Sequence, residues 1–314
     1  MSRITFSPGV RANVPLLLGF NGGTGSGKTY TAFEVATGIT EAVAPGKKFA
    51  VIDTETGRAL HYAERFNFDH ADIRAPFRPE TYLDAIVSAE EAGYPCVVVD
   101  SMSHVWAGEG GVLDWQEEEL DRMAGDDWKK REQCKMAAWI KPKVAHKKMV
   151  QRLLQLRIHV ILCFRAEPKV EMKREDGKTK IVPKESLTGL DGWIPICDKN
   201  LPFELTASFL LTADKPGICK PIKLQEQHRP FFPLDALVTR DAGRQLAEWA
   251  RGGRAGFDLQ ALSDVGETKA REGMQSLRGW WETIPGKARI ALKPKLDGEW
   301  KQLAESADNA GRAA

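Results

Sequence analysis

The chain has 314 residues, of which 42% are hydrophobic, so it is long enough for one large domain with a buried core and a small second one. Its 45 Lys and Arg against 43 Asp and Glu leave a net charge of +2, so any basic surface for nucleic acid has to be local. The five cysteines are scattered and form no Cys-x-x-Cys pair, which argues against a disulfide framework or a zinc site. No apolar run approaches the length of a membrane span, and we expect a cytoplasmic protein.

Short apolar runs alternate with longer amphipathic stretches up to residue 240. This alternation is typical of an α/β fold with a mostly parallel sheet. Continuous apolar runs such as 97–99 suit strands that are covered on both faces. The predicted strands are 14–20, 48–53, 96–100, 159–164, 206–212 and 221–225.

The first predicted strand leads into the phosphate-loop motif Gly22-Gly23-Thr24-Gly25-Ser26-Gly27-Lys28-Thr29, and a helix pattern follows it. The glycines let successive backbone N–H groups converge on phosphates, and the following helix adds its positive N-terminal end. We expect Lys28 to place its charge on the β- and γ-phosphates and the Thr29 hydroxyl to bind Mg²⁺. The motif therefore predicts a site for ATP and magnesium, and the alternative is a plain glycine-rich turn.

Carboxylates follow the second and third predicted strands, at the sheet edge where α/β proteins bind ligands. Asp100 ends the apolar run 97–99, and we expect it to hold the magnesium shell beside the phosphate loop. The alternative is an ordinary buried strand with an Asp cap. Glu55 follows the run 51–54 and is the best candidate for the group that orients or deprotonates the attacking water. A solvated surface glutamate is the alternative for this residue.

A long insert at 106–158 separates the third and fourth predicted strands, and its charges are segregated. Residues 107–127 contain eight acids and one base, whereas 129–157 contain ten Lys and Arg and one acid. The helical spacing of apolar residues in the second half predicts an amphipathic basic helix. Alternating side chains at 168–183, with Asp176-Gly177 as the turn, predict a β-hairpin.

The domain prediction is a core at 1–251, which includes the insert and the hairpin, followed by a linker and a small module. Residues 252–257 are rich in glycine and predict a flexible linker. Residues 258–314 predict a small helical module. Within it, Ala270, Met274, Leu277 and Trp281 recur at helical spacing and predict one continuous apolar stripe.

Taken together, the phosphate loop, segment 51–55 and segment 97–101 resemble the RecA family over about residues 14–250. Segment 221–229, followed by Phe231-Phe232-Pro233, is similar to phage-encoded RecA-like core ATPases, called AAA-family nucleotide-binding proteins, that are associated with single-strand annealing and recombination. The resemblance implies an α/β, RecA-like P-loop NTPase core with ATP and Mg²⁺ as cofactors. It also implies the cytoplasm of a bacterial host cell.

The resemblance implies roles for three further residues. Tyr62, seven residues after Glu55, matches the tyrosine that packs on the adenine in RecA. Arg165 ends the fourth strand, where RecA-like proteins place a polar γ-phosphate sensor. Arg229 falls near the last core strand, where RecA relatives carry a Lys-x-Arg pair that reaches a neighbour's ATP, although Gln227 replaces the lysine here. A cation supplied by a neighbour stabilises phosphoryl charge and implies a homo-oligomer, and a surface ion pair is the alternative for each arginine.

In RecA-like folds, DNA-binding loops follow the third and fourth strands, where this chain has the basic segment 129–157 and the hairpin. The resemblance therefore implies single-stranded DNA as a partner. Trp128 and Trp139 are candidates for stacking on bases. The alternative is a solvated helix face with tryptophans in the core. The candidate DNA-binding residues are Lys147, Lys148, Arg152, Lys169, Lys173, Lys178 and Lys180.

These features favour an enzyme, an ATP hydrolase that is stimulated by single-stranded DNA and promotes annealing or strand exchange in phage recombination. One alternative is an ATP-controlled interaction switch that loads or regulates a recombinase or a single-strand-binding protein. A second alternative is a helicase or packaging motor. A small-molecule kinase is least favoured, because the Glu55 segment suits attack by water. No membrane partner is expected.

Overall fold

The computed structural model describes residues 11, 13–175, 178–183, 192–252, 259–284 and 286–313. The chain divides into two compact units. One lies within residues 11–251, and the other contains the described residues beyond 251. Among the residues that are described, no helix has the length and apolar character needed to cross a membrane.

A mostly parallel sheet organises the larger unit. The strands are β1 Leu17–Gly22, β2 Phe49–Asp53, β3 Phe68–Asp72, β4 Cys96–Asp100, β5 His159–Pro168, β6 Val170–Glu175, β7 Lys178–Pro183, β8 Trp193–Pro195, β9 Ala207–Leu211 and β10 Lys220–Lys223. Their order in the sheet is β10-β9-β1-β5-β4-β2-β3, with β10 antiparallel to β9 and β8 antiparallel to the end of β5, while β6 and β7 form a separate hairpin. The predicted α/β class with a mostly parallel sheet is therefore confirmed.

Helices cover both faces of this sheet. The helices of the unit are α1 Lys28–Val43, α2 Pro79–Glu91, α3 His104–Ala107, α4 Val112–Ala124, α5 Trp128–Ala138, α6 Ile140–Leu153, α7 Leu201–Glu204 and α8 Arg240–Ala250, with short 3₁₀ helices at Arg58–Tyr62 and Glu226–Phe231. Leu18 and Phe20 pack in one core cluster with α1 and α8, whereas the preceding Leu17 packs in the other cluster with α2 and α6. This alternation is what a strand covered on both sides requires.

The structure contains a strand and helices that were not predicted from the sequence. Strand β3 lies at the edge of the sheet, and only Phe68 and Ala71 of its five residues are apolar, so it carries no buried-strand pattern. Two helices of the insert at 106–158, the acidic α4 and the basic α5, precede the predicted amphipathic basic helix α6. The hairpin forms as β6 and β7, and its predicted turn at Asp176-Gly177 lies outside the described residues.

Two glycines allow α1 and α8 to pack very closely. A Cβ atom on Gly38 would lie 1.8 Å from the Arg240 carbonyl oxygen, and one on Gly243 would lie 2.1 Å from the Val35 carbonyl oxygen. Neither position could therefore hold a larger residue without separating the helices. This packing fixes α1, whose first residues are Lys28 and Thr29.

The smaller unit is helical, with α9 Leu259–Arg271, α10 Met274–Thr283, α11 Gly286–Lys295, a π-helical turn at Leu296–Trp300 and α12 Lys301–Ala313. Its core surrounds Trp300, and the half-buried Trp280 and Trp281 pack against that ring. The predicted continuous stripe from Ala270 to Trp281 is wrong. The backbone of Gly273 has φ +108, which is outside the helical region, so the stripe is divided between α9 and α10.

Candidate nucleotide-binding site

The carboxyl ends of β1, β2, β4 and β5 meet at one edge of the sheet. The strand register places Gly22 beside Arg165 and Asp53 beside Asp100. An open cleft of about 820 Å³ lies at this edge. It brings together the phosphate loop and the side chains predicted from strand ends. The lining residues are Gly22 to Thr29 of the loop, Glu55, Arg58, His61, Tyr62, Asp100, Arg165, Ala166 and Ile196.

The phosphate loop turns on two residues in the left-handed region, Gly25 at φ +74 and Gly27 at φ +84. The Ser26 hydroxyl and the Lys28 ammonium both donate to the Gly23 carbonyl oxygen, at 2.8 and 3.1 Å. Helix α1 begins at Lys28, and no side chain caps its first turn. The N–H groups of that turn therefore remain available to an anion, at the end of the helix that carries positive partial charge.

Thr29 and Asp100 are joined at the bottom of the cleft. The Thr29 hydroxyl donates to the Asp100 carboxylate at 2.5 Å, and burial raises the pKa of Asp100. In the part of the chain that the structure describes, no cluster of three or more His, Cys, Asp or Glu residues forms a metal cage. This donor set fits Mg²⁺, which prefers few protein oxygens together with phosphate oxygens and water.

Glu55 is held by hydrogen bonds to its backbone and its carboxylate. Its N–H donates to the buried Asp53 carboxylate at 2.6 Å, and the same carboxylate accepts from the Ala59 N–H at 2.8 Å. Arg58 and Arg165 donate to the two carboxylate oxygens of Glu55, at 2.5 and 2.6 Å. Partial burial alone would raise the pKa of Glu55, but the two arginines outweigh it and lower the pKa. Glu55 is thus an ionised carboxylate facing the phosphate loop.

Several residues in and beside the cleft were not predicted. Arg58 was missed because its partner Glu55 lies three residues earlier on the turn into the 3₁₀ helix, a spacing without a motif. Beside Glu55, the Thr54 hydroxyl lies 2.7 Å from the His104 imidazole, and burial lowers the pKa of this histidine. An acid followed by Arg at i+3 was the one signal that could have suggested Arg58.

Tyr62 lines the cleft as the sequence led us to expect. Its ring is half-buried and packs edge-on against two other rings, with centre-to-centre distances of 5.6 Å to Phe33 and 6.3 Å to Tyr30. A role in holding the base remains a prediction.

Arg229 does not line the cleft of its own chain, judged from the described residues. It is exposed on the 3₁₀ helix Glu226–Phe231 and pairs with Glu226 at 3.4 Å. A position away from the cleft is required for a residue that acts on a neighbour's nucleotide, and that role stays a prediction.

The candidate DNA-binding residues fall into three groups. Lys147, Lys148 and Arg152 are exposed on α6 and have no ion pair within the described parts of the chain. Lys169 and Lys173 pair with Glu167 and Glu171, at 3.3 and 3.2 Å. The side chains of Lys178 and Lys180 lie outside the described residues.

The segregated charges of the insert partly neutralise one another. Arg131 of the basic segment donates to Glu117 at 3.0 Å and also pairs with Asp121, while Lys141 pairs with Glu119 at 3.0 Å. The basic segment is therefore less cationic than its sequence suggests, although exposed cations without an ion pair among the described residues remain on both α5 and α6.

The two tryptophans of the insert differ. Trp128 is exposed, with the Lys129 ammonium 5.7 Å from its ring centre. Trp139 is half-buried and stacks on Trp106 with ring centres 6.3 Å apart. Only Trp128, of the two, presents an open ring face for stacking on a base.

The site combines a phosphate loop and the uncapped start of helix α1 with the Thr29–Asp100 pair and with Glu55 across the cleft. This combination defines a P-loop ATPase, a class that generally uses ATP and Mg²⁺. The sequence model described as "AAA domain" matches residues 18–198, more than half of the chain, so the protein belongs to this family. The RecA-like fold with C-terminal helices, expected from the sequence, is confirmed.

No curated protein matches the chain significantly. Among solved structures, the chain is similar to a KaiC-like protein from the hyperthermophilic archaeon Pyrococcus horikoshii OT3. The two are 15% identical with a TM-score of 0.34, and the match covers 64% of this chain and 73% of that chain.

Proposed function

We propose that the cleft hydrolyses ATP with Mg²⁺. Lys28 and the N–H groups of the phosphate loop hold the phosphates, and Thr29 with Asp100 holds the metal, which supplies charge neutralisation when bound. Glu55 orients and deprotonates the attacking water. Tyr62 packs against the base end of the nucleotide. The observation that carries the proposal is the arrangement of Glu55 and the Thr29–Asp100 pair around a single cleft.

Arg165 has two anionic partners in this scheme. It donates to Glu55 at 2.6 Å, and it lines the same cleft as the phosphate loop. The terminal phosphate competes with Glu55 for this guanidinium, so Arg165 both senses that phosphate and stabilises the charge that develops on it. Loss of the Arg165 contact then leaves one carboxylate oxygen of Glu55 to the attacking water, while Arg58 holds the other.

Arg229 contributes from a neighbouring copy in an assembled homo-oligomer. Its exposure and its absence from the described lining of its own cleft support this role. The test mixes two inactive variants, Arg229→Ala and Lys28→Ala, because a mixed interface pairs an intact cleft with an intact Arg229. Recovery of ATPase activity on mixing is expected. Two inactive variants that stay inactive together would rule out action on a neighbour.

We propose single-stranded DNA as the partner whose binding is coupled to hydrolysis, in annealing or strand exchange during phage recombination. Lys147, Lys148 and Arg152 are exposed on α6 without an ion pair among the described residues, which supports a phosphate-binding face, and the exposed ring of Trp128 on the same insert supports stacking. The RecA-like core is the second support.

The experiment measures steady-state ATP hydrolysis by the full chain with and without single-stranded DNA, together with a gel shift. We expect hydrolysis that requires Mg²⁺ and rises at least severalfold with DNA. ATP hydrolysis at an unchanged rate, with no gel shift, would remove the DNA role but leave the ATPase. No hydrolysis under either condition would remove both.

A second candidate function is an ATP-controlled interaction switch for a recombinase or a single-strand-binding protein. It is favoured by an apolar stripe on α5 and α6, where Met136, Ile140 and Val144 recur every four residues and are 79, 62 and 47% exposed. Exposed apolar stripes of this kind commonly mark protein interfaces. The test is a pulldown of a purified single-strand-binding protein by this chain. The switch is favoured if capture requires ATP, persists after DNase treatment, and is lost when all three residues of the stripe are replaced by Ser.

A further inference from the structure

Three buried hydroxyl groups lie around the carboxyl ends of β2 and β4. They belong to Thr54, Ser101 and Ser103, whose exposures are 5, 1 and 2%. Thr54 immediately precedes Glu55 in the chain, and Ser101 immediately follows Asp100. None of the three hydroxyls belongs to the lining of the nucleotide cleft that the structure describes. They are therefore placed to hold the backbone beside the reacting groups and not to contact the nucleotide.

These hydroxyls connect the strand ends through hydrogen bonds from backbone groups. The Ser101 N–H donates to the Thr54 hydroxyl oxygen at 2.9 Å, and the Arg165 N–H donates to the Ser103 hydroxyl oxygen at 2.8 Å. The Ser103 N–H in turn donates to the Ser101 hydroxyl oxygen at 3.2 Å. A buried network with its partners supplied fixes one geometry, so the segment before Glu55 and the backbone of Arg165 are held together.

His104 joins this network from α3, the short helix that leads into the insert. Its Nδ1 atom lies 2.7 Å from the Thr54 hydroxyl oxygen, and its ring stacks on Phe77 with centres 5.0 Å apart. Burial and the charge of Arg165 lower the pKa of His104, so the ring is neutral at pH 7. Since a hydroxyl can donate and accept, the neutral imidazole nitrogen forms this hydrogen bond in either role.

His104 lies beside Glu55 but outside the main cleft. An open pocket of about 510 Å³ is lined by His104, Thr54 and Thr56 together with Glu55 and its two arginine partners. His104 is absent from the described lining of the main cleft, which contains the phosphate loop. The imidazole is therefore placed to act on Glu55 through Thr54, without touching the nucleotide.

We propose that His104 is a positioning residue for ATP hydrolysis, which holds Glu55 in place through the Thr54 hydroxyl. This role rests on the proposed ATPase function. A general base has to lie within hydrogen-bond reach of the attacking water, and small displacements are costly. Without the imidazole, the Thr54 hydroxyl keeps only its hydrogen bonds with the Ser101 backbone. Glu55 is then held less closely, which slows turnover and leaves nucleotide binding unchanged.

The experiment uses two replacements of His104 that separate its hydrogen bond from its packing. His104→Asn keeps a polar atom near the position of Nδ1 but loses the ring. His104→Phe keeps a ring that can stack on Phe77 but has no nitrogen. For each full-length variant we would measure kcat and KM for ATP, the affinity for a non-hydrolysable ATP analogue, and the melting temperature. Assays are run well below the lowest melting temperature, so that a variant that is only less stable is still folded.

The matched control is His146→Phe. His146 is a 5% exposed histidine on α6, and its ring contacts Trp106 edge-on with centres 5.5 Å apart. Within the described residues it lines neither the main cleft nor the pocket beside Glu55. A general effect of replacing a packed histidine by Phe should therefore appear in both variants, whereas an effect on Glu55 should appear only at His104.

His104→Phe should lower kcat about tenfold and leave the affinity for the analogue unchanged, because the interaction matters for the reaction and not for binding. His104→Asn should keep at least about half of the wild-type kcat. His146→Phe should match the wild type in kcat and in affinity. A wild-type kcat in His104→Phe, or a kcat in His104→Asn as low as that of His104→Phe, would overturn the proposal.

A double variant tests whether His104 acts through Thr54. If it does, adding His104→Phe to Thr54→Val should lower kcat no further than Thr54→Val alone, since the hydroxyl partner is already gone. Independent losses that multiply in the double variant would overturn the route through Thr54. An equal loss in His146→Phe, or a parallel loss of analogue binding in His104→Phe, would also overturn the positioning role. In each case a wild type that hydrolyses ATP leaves the ATPase proposal intact, whereas a wild type without hydrolysis overturns both.

Discussion

The nucleotide cleft and the insert at 106–158 hold charge in opposite ways. In and beside the cleft, Asp53, Glu55 and Asp100 are buried or half-buried, and each accepts hydrogen bonds from defined partners. In the insert, most acids and bases lie on separate helices, and exposed side chains pair across them, as Arg131 does with Glu117. Buried, fully partnered charges fix one geometry, whereas exposed pairs contribute little to stability and leave charge free to meet a partner.

Because of this difference, the side chains of the cleft define a reaction, whereas those of the insert do not define a ligand. A reaction needs side chains held in one arrangement, and the hydrogen bonds of the cleft supply it. An electrostatic surface tolerates many arrangements of lysine and arginine, so its geometry identifies no single ligand.

The largest effect is expected from Asp53→Ala. Asp53 is buried and accepts from the Glu55 and Ala59 N–H groups, so its loss leaves two donors without a partner. We expect the free energy of unfolding to fall by about 2–4 kcal/mol. The matched control Glu117→Ala removes an exposed carboxylate that pairs with Arg131, and should cost less than about 1 kcal/mol. Urea denaturation measures both, and equal losses would contradict the contrast.

The next effect concerns β5, which begins after the insert at His159 and ends near the cleft. The buried His159 ring accepts from the Leu16 N–H at 3.2 Å, and burial lowers its pKa to about 4. An ordinary histidine has a pKa of about 6.5, so the unfolded chain binds the proton first as the pH falls. The stability that the neutral ring contributes is present above pH 6.5 and is lost as the pH falls towards 4.

At pH 5 the loss should be about 2 kcal/mol relative to pH 7.5. His159→Gln keeps an acceptor for Leu16 but removes the titration. The variant should therefore lose about 2 kcal/mol less stability than the wild type between these two pH values, in parallel urea titrations. Identical pH dependence in the two proteins would show that His159 is not the group responsible.

The smallest effect is expected at the insert. Replacing Lys147, Lys148 and Arg152 together by alanine should weaken single-stranded DNA binding about tenfold and reduce the salt dependence by about two units of log–log slope. The control removes equal charge from the C-terminal unit, at Lys269, Arg271 and Lys301, which pair with acids there. Binding measured across a salt series should change only in the first variant. Equal losses in both would mean that net charge alone sets the affinity.

Sequence patterns predicted the cleft well because its main parts lie at strand ends. Gly22 to Thr29 is a contiguous motif, and Glu55 and Asp100 each follow a buried apolar run, so a parallel sheet brings them to one edge. Strand β3 was missed because an edge strand with polar residues has no buried pattern. Local spacing also gave one apolar stripe across Gly273, where the backbone leaves the helix.

Other features depend on contacts between distant segments and leave no local trace. Arg131 and Lys141 are neutralised by acids of α4, so the charge of 129–157 in the sequence overstates the charge of the folded surface. A smaller pocket of about 370 Å³ forms only where α1, at Tyr30 and Glu34, meets the segments around Gly217 and Val238. Neither feature could be inferred from the order of residues alone.

The most direct test of the account is ATP binding and turnover by Glu55→Gln, with Lys28→Ala as the comparison. Glutamine keeps the size of Glu55 but cannot take a proton from water, whereas loss of Lys28 removes the charge that holds the phosphates. We predict that Glu55→Gln binds ATP like the wild type and turns over at least about 100-fold more slowly, while Lys28→Ala fails to bind. Wild-type turnover by Glu55→Gln would contradict the central assignment.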